Sequence, residues 1–376
     1  MLGSLKLLLK KLDSELSAEN QAKIFNCHRR ALNWEETDRL PLLITFPFPE
    51  ECAFYPFPHH EALMDPEKML FNELVYAFDT SILLHSQIED DLSYTIRANF
   101  GTVIIASVFG GKVEQRGDNP PWVRHYETKD SLKAIFDKDP LDFTCGYVSK
   151  VVETYKFYNH VFSEYPNLKK CVKLVLPDLQ GPLDSLELLW GSEIYSDFII
   201  DPELVEKGLK LMAESQVGLA KYLLQFTTDD KQGFTHQHAT TIKGNILIRN
   251  DSAIMISPDM YRNQVAVYDE FVLHEMNGGG IHSCGNIDFN VPSIFSLNSI
   301  QCFDFGQSWL NDIDSVYSIA RERKIALIRI RVGKDELLSG EIKKRFPTGV
   351  SLIYNARSFE EAKFISKSYN ARYNDR

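Results

Sequence analysis

Residues 278–286 read Gly-Gly-Gly-Ile-His-Ser-Cys-Gly-Asn. If Gly280–Cys284 ends a β-strand, side chains two apart share a face, and His282 and Cys284 project together. An imidazole beside a thiol can begin a zinc site or meet a thiol-dependent substrate. Two ligands do not complete such a site. The plainer alternative is a strand end rich in small residues, with Cys284 half buried. The pair points to an active site first and to a metal, held by His282 and Cys284, second.

Other polar residues fall at the ends of expected strands: Asp178 and Gln180, His236 and His238, Asn250 and Asp251, Asn286, Gln307, and Asn355 with Arg357. Where parallel strands close into a barrel, reactive groups gather at their C-terminal ends. His282, Cys284 and Asp251 are then the candidate catalytic residues. Asp178, Gln180, His236, His238, Asn286 and Gln307 are candidates for binding substrate. Each has a plainer reading. Asp178 and Asp251 can cap backbone amides in tight turns. His236 and His238 form either a metal half-site on one strand face or a solvated loop pair. Asp90-Asp91 reads as a solvated turn. Cys302 reads as a small core residue, and Asp304, two residues on, shares its face.

The elements that must position these groups alternate between β-like and helical runs. Expected strands are Leu42–Phe46, Thr80–His85, Thr102–Val108, Val172–Leu176, Asn245–Ile248, Gly280–His282, Ile300–Phe303, Ile325–Ile330 and Val350–Tyr354. Helices are signalled by Asp65-Pro66, Asp201-Pro202 and Ser257-Pro258, and by the capping box Ser358-Phe359-Glu360-Glu361. Strand followed by helix, repeated about eight times, is the pattern of a (β/α)8 TIM barrel in the α/β class. The expectation is one barrel domain over residues 1–376, with 1–38 as an N-terminal helical cap. A doubly wound open sheet is the alternative, but no Gly-x-Gly-x-x-Gly follows an early strand.

Composition narrows the function classes. Apolar residues make up 44% and charged residues 25% of the 376, as in an ordinary globular protein. The net charge of −11 argues against nucleic-acid binding, whose affinity comes from neutralising phosphates. No apolar run approaches a membrane span. Met1–Leu12, with Lys6, Lys10 and Lys11 among leucines, reads as an amphipathic helix packed on the body, with reversible membrane contact as the alternative. It has no signal-peptide cleavage pattern. Six scattered cysteines without a Cys-x-x-Cys pair indicate free thiols and a cytoplasmic setting.

Several segments, in order, resemble the uroporphyrinogen decarboxylase superfamily, which includes the methylcobalamin:thiol methyltransferases of corrinoid-dependent methyl transfer. They are Arg30-Ala31-Leu32, Asp38-Arg39-Leu40-Pro41, Asp65-Pro66-Glu67-Lys68-Met69, Asn99-Phe100-Gly101, Phe109-Gly110-Gly111, Gln180-Gly181-Pro182, Trp190-Gly191, Asp251-Ser252, Ile256-Ser257-Pro258 and His282-Ser283-Cys284-Gly285-Asn286. The resemblance runs from about Phe25 to Tyr369 and implies a (β/α)8 barrel with its site at the strand C-termini.

Two departures bear on activity. Uroporphyrinogen decarboxylases carry an arginine-rich segment after the first strand that grips substrate carboxylates. Here that stretch is Phe46-Pro47-Phe48-Pro49-Glu50-Glu51, which would repel them. The methyltransferase branch binds zinc through His-x-Cys and a further cysteine near the last strand. Here Ile353-Tyr354-Asn355-Ala356-Arg357 has no thiol, and Gln307 stands near the place of an acidic ligand. A zinc site is therefore incomplete, completed by Cys302 or Asp304, or lost.

Three functions follow, in order of preference. The first is a methyltransferase-like enzyme that moves a methyl group from a corrinoid or other donor to a thiol. It would use zinc, a small-molecule substrate and a corrinoid protein as partner, and would act as a monomer or homodimer. The second is a metal-free decarboxylase or lyase of the same fold. The third is a non-catalytic binding barrel.

Overall fold

Leu5, Leu8, Leu9 and Leu12 are spaced to line one side of a helix, and all four are buried on the first helix, Gly3–Glu15. The computed structural model describes residues 1–77, 79–229 and 232–374. The first helix packs against Pro166–Cys171, where Asp13 accepts the backbone amides of Asn167 and Leu168 at 2.9 and 2.7 Å. Those four leucines are thus covered by protein, whereas Leu7 on the same helix is exposed. Ser17 caps the second helix, Ala18–Leu32, by accepting the Asn20 amide at 3.2 Å.

The strands are β1 (Leu42–Thr45), β2 (Thr95–Ile96), β3 (Lys112–Glu114), β4 (Trp122–Arg124), β5 (Lys173–Leu174), β6 (Phe234–Gln237), β7 (Thr240–Lys243), β8 (Leu247–Arg249), β9 (Gly279–Ser283), β10 (Ile300–Phe305), β11 (Ala326–Arg331) and β12 (Val350–Asn355). Six form one parallel sheet in the order β1-β12-β11-β10-β9-β8. Helices connect successive strands, as parallel pairing requires. β2 and β5 form a separate parallel pair. A single bridge between Gln180 and Arg249 joins the segment after β5 to β8. On the other side, the Asp91 amide donates to the Leu42 carbonyl at 2.8 Å. The protein is therefore α/β, built on a parallel sheet and preceded by two helices.

Two expected strands are helical. Ile82–His85 and Ile104–Val108 are rich in β-branched and apolar residues, but local geometry overrides that preference. Ser81 accepts the Leu84 amide at 3.0 Å and starts one helix; Gly101, at φ +67°, turns the chain into the other. Asp90 and Asp91 are buried rather than solvated. Asp91 forms a two-pronged ion pair with Arg39 and accepts the Leu42 amide, while Asp90 accepts the Ile44 amide at 3.0 Å. The pair thus fastens β1 to the segment leading into β2.

β6 and β7 form an antiparallel hairpin that alternation alone did not reveal. Its tip residues, His238 and Ala239, have φ of 49° and 58°, the left-handed pair of a tight two-residue turn. Phe234 and Ile242 of the hairpin pack with Leu247, Cys302, Ala326 and Ile328, so the hairpin lies on the inward face of the sheet.

Candidate metal centre

Inward positions of neighbouring strands align by register: Gln180 beside Arg249, Arg249 beside His282, His282 beside Asp304. They form one polar level above the apolar level of Leu247, Gly280, Cys302 and Ala326. His282 and Cys284 do project together, with Cys284 Sγ 3.5 Å from His282 Nε2. Asp251 Oδ1 lies 3.6 Å from the same nitrogen and accepts the Cys284 amide at 2.7 Å. Metal–ligand bonds of about 2.0–2.3 Å at tetrahedral angles place neighbouring donor atoms about 3.3–3.8 Å apart. The two distances from His282 Nε2 match edges of such a cage, and the Asp251, His282 and Cys284 donor atoms all lie within 4.8 Å of one another.

The donor chemistry fits as well. His282 Nδ1 lies 2.8 Å from Asp304 Oδ2. A proton on Nδ1, donated to that carboxylate, leaves the Nε2 lone pair facing Cys284 and Asp251. This is the carboxylate–histidine arrangement that orients a ligating imidazole. Burial, with Asp251 beside it, pushes the Cys284 thiol up to about 12. Without a cation, a thiolate next to a carboxylate is disfavoured; a divalent ion would remove that conflict. Gly306 makes the space: a Cβ there would come within 2.5 Å of Cys284 Sγ and 3.3 Å of His282 Cε1. Three protein donors, with the Asp251 side chain 45% exposed, resemble catalytic zinc sites, which keep an open position.

His238, His282 and Asp304 form a second group with metal-compatible spacing. It is crowded by cations. Arg329 pairs with Asp304 through Nε and Nη2, both at 2.7 Å, and Arg249 Nη1 contacts His238 Nε2. Burial opposes ionisation of Asp304, yet Arg329 and then His282 hold it far below the ordinary carboxylate range. Burial, then Arg249 and Arg329, push His238 well below the usual histidine value and keep it neutral. This group buttresses His282.

The other expected residues divide. Asp178 is buried and bonded to both Arg97 and Arg249; their charges outweigh the burial that would raise it, and it stays ionised. Gln180 is buried on the polar level, with Oε1 lacking a hydrogen-bond partner among the described residues. His236 and His238 form neither a shared metal half-site nor a solvated pair. His236 is buried against Asp229 at 2.7 Å, whereas His238 reaches Asp304 at 3.3 Å from the hairpin tip. Asn286 is exposed and donates to the Leu310 carbonyl at 2.8 Å, and Gln307 accepts the Gly285 amide. Both hold the loop through contacts to its backbone. Cys302 does not complete the cage: it is buried on the apolar level and donates to the Lys243 carbonyl at 3.2 Å. Asp304 supports His282 from behind.

Arg97, Arg249, Arg329 and Gly306 were missed from sequence. The signal for the arginines was a single charge inside an otherwise apolar strand run, as in Leu247-Ile248-Arg249. Asp184 was also missed. It is buried, accepts the Asp251 and Ser252 amides at 2.9 and 2.8 Å, and is raised to about 7 by burial and then by Asp251.

No protein-family model matches the sequence. No curated protein matches it. Among solved structures, a methyltransferase from Methanosarcina mazei matches with a TM-score of 0.59 at 15% identity, over 92% of this chain and 96% of that one. At that identity the likeness is one of fold.

Proposed function

We propose that this protein is a methyltransferase-like enzyme of the uroporphyrinogen decarboxylase superfamily, moving a methyl group from a corrinoid or other donor to a thiol. One observation carries the reading: His282 is held from behind by Asp304 and turns Nε2 toward Cys284 and Asp251. We read the sheet, the β2–β5 pair and their links as an eight-stranded barrel, β1-β2-β5-β8-β9-β10-β11-β12, with the site at its C-terminal rim. The fold shared with a methyltransferase supports this.

Asp251, His282 and Cys284 would hold zinc. A bound zinc would supply the Lewis acidity that keeps a thiol ionised near neutral pH. The protein's own groups do the positioning. Asp304 fixes the His282 ring, the Cys284 amide holds Asp251, and Gln307 holds the turn at Gly285. Gln180 offers an acceptor for the polar end of the substrate. The exposed apolar residues Ile254, Met255, Phe289, Trp309 and Leu310 lie on the loops after β8, β9 and β10 and suit a partner that carries the methyl donor, such as a corrinoid protein.

Tetrapyrrole decarboxylation is disfavoured. Residues 47–51 line a cleft of about 720 Å³ after β1 and bring Glu50 and Glu51 to it; Lys11 and Arg357 line it from other segments, and the stretch itself has no arginine to hold a carboxylate.

The test combines metal analysis of metal-replete protein with methyl transfer from methylcobalamin to small thiols. About one zinc per chain is expected, lost with activity on replacing His282 and Cys284 together. Less than a tenth of an equivalent, unchanged by that replacement, refutes the zinc reading. Turnover that survives chelators and Cys284→Ser would favour the metal-free decarboxylase or lyase. Ligand binding without turnover would favour the non-catalytic barrel.

A further inference from the structure

Arg329 sits within β11 with a φ of 58°, in the left-handed region that a non-glycine residue seldom adopts. The ladder between β11 and β12 shifts register between Leu327 and Ile330, so Arg329 lies in a bulge. The Ser351 hydroxyl accepts its amide at 3.1 Å and anchors that conformation. Strict alternation from Ala326 and Ile328 would send the Arg329 side chain to the opposite face of the sheet. The bulge brings it back, and it meets Asp304 with two parallel 2.7 Å hydrogen bonds. Its Nη2 also lies 3.4 Å from His282 Nδ1. An unfavourable backbone conformation kept in a strand and aimed at one carboxylate is the kind of outlier from which a role is inferred.

The role follows from the two overlapping metal-compatible groups, which share His282. In one, His282 faces Asp251 and Cys284 through Nε2. In the other, Nδ1 faces Asp304 and His238. Nδ1 cannot both donate to Asp304 and ligate a metal. What occupies the space beside Nδ1 therefore decides where a cation can sit, and the Arg329 guanidinium occupies it.

We propose that Arg329 is a positioning residue that selects the cysteine-containing cage. Its guanidinium clamps both Asp304 oxygens and fixes that carboxylate against His282 Nδ1, which leaves His282 Nε2 turned toward Cys284 and Asp251. The same positive charge excludes a metal from the histidine–aspartate side. This rests on the metal reading above and adds the residue that decides which cage is used.

The experiment titrates metal-free full-length protein with Co²⁺, reading sulfur-to-cobalt absorption, and measures Zn²⁺ affinity against a chromophoric chelator. Arg329→Gly suits the left-handed backbone and removes the side chain. It relieves the backbone but leaves buried Asp304 without its ion-pair partner, so it should melt lower than the native protein, bind zinc 10–100-fold more weakly, and show less sulfur–cobalt absorption per bound ion. Arg329→Lys should recover part of the affinity, because it restores charge without the two-pronged geometry. Should Arg329→Gly not fold, Arg329→Gln is read in the same way. Zinc affinity within twofold of native in a folded charge-free variant overturns the proposal. So does an affinity loss that lysine does not reduce at all. Native protein that shows no sulfur–cobalt absorption overturns the metal reading itself, and this proposal with it; a normal native spectrum with an unaffected variant overturns only the role of Arg329.

Discussion

Cys284 and Cys302 belong to neighbouring strand segments of one sheet, and burial raises both thiols to about 12. Their settings differ completely. Cys302 lies on the apolar level with Leu247 and Ala326, packed in one cluster with Ile328, and its one hydrogen bond among the described residues is to the Lys243 carbonyl. Cys284 lies past the polar level, within reach of His282 and Asp251. The residue type is the same, and the level along the strand decides the chemistry. Even the glycines correspond: Gly280 leaves room for Cys302, and Gly306 for Cys284.

Replacing each cysteine is the strongest way to break this comparison. Cys284→Ser should lower zinc affinity at least a hundredfold, measured by chelator competition, with little change in melting temperature. Cys302→Ala should leave zinc binding unchanged and cost about 1–2 kcal/mol of stability, measured by denaturant unfolding.

The glycines sharpen it. A Cβ at Gly306 would press on Cys284 and His282, so Gly306→Ala should weaken metal binding tenfold or more at modest cost in stability. A Cβ at Gly280 would meet Cys302 Sγ at 2.5 Å and Leu247 Cδ1 at 3.0 Å. Gly280→Ala should destabilise by about 1–3 kcal/mol while metal affinity holds.

Proton release offers a third measure. Because the free Cys284 thiol is raised to about 12, it must lose its proton when a metal binds near neutrality. Apparent zinc affinity should rise about tenfold per pH unit between about pH 6 and 8, and that slope should vanish in Cys284→Ser.

Two buried acids carry the comparison to pH. Asp304 is ionised because Arg329 faces it. Asp269, behind Asn250, accepts 2.7 Å hydrogen bonds from Asn250 Nδ2 and the Tyr261 hydroxyl, and burial raises it to about 7. A raised carboxyl holds its proton longer in the folded state, so its contribution to stability declines as pH rises from about 4 to about 7. Asp269→Asn should remove that decline, on the order of 1 kcal/mol per pH unit, measured by unfolding across the range. Asp304, depressed in the fold, acts oppositely: its contribution disappears as pH falls below about 4.

The sequence by itself determined much of this. Period-two alternation placed His282 and Cys284 on one side of a strand, and Asp251 was legible as a polar residue at a neighbouring strand's end, expected in catalysis rather than as a metal ligand. Asp65, Ser257 and Ser358 marked helix starts that the side-chain caps bear out, because capping is local chemistry. The segments Thr80–His85 and Thr102–Val108 were misjudged because a serine cap and a left-handed glycine outweighed their β-like composition. Tertiary structure alone decided that Asp251, rather than Cys302 or Asp304, faces the same His282 nitrogen as Cys284, since that depends on register between strands far apart in the chain. It also decided that Arg329 turns inward: a bulge is a property of two paired strands, and no spacing within one strand encodes it.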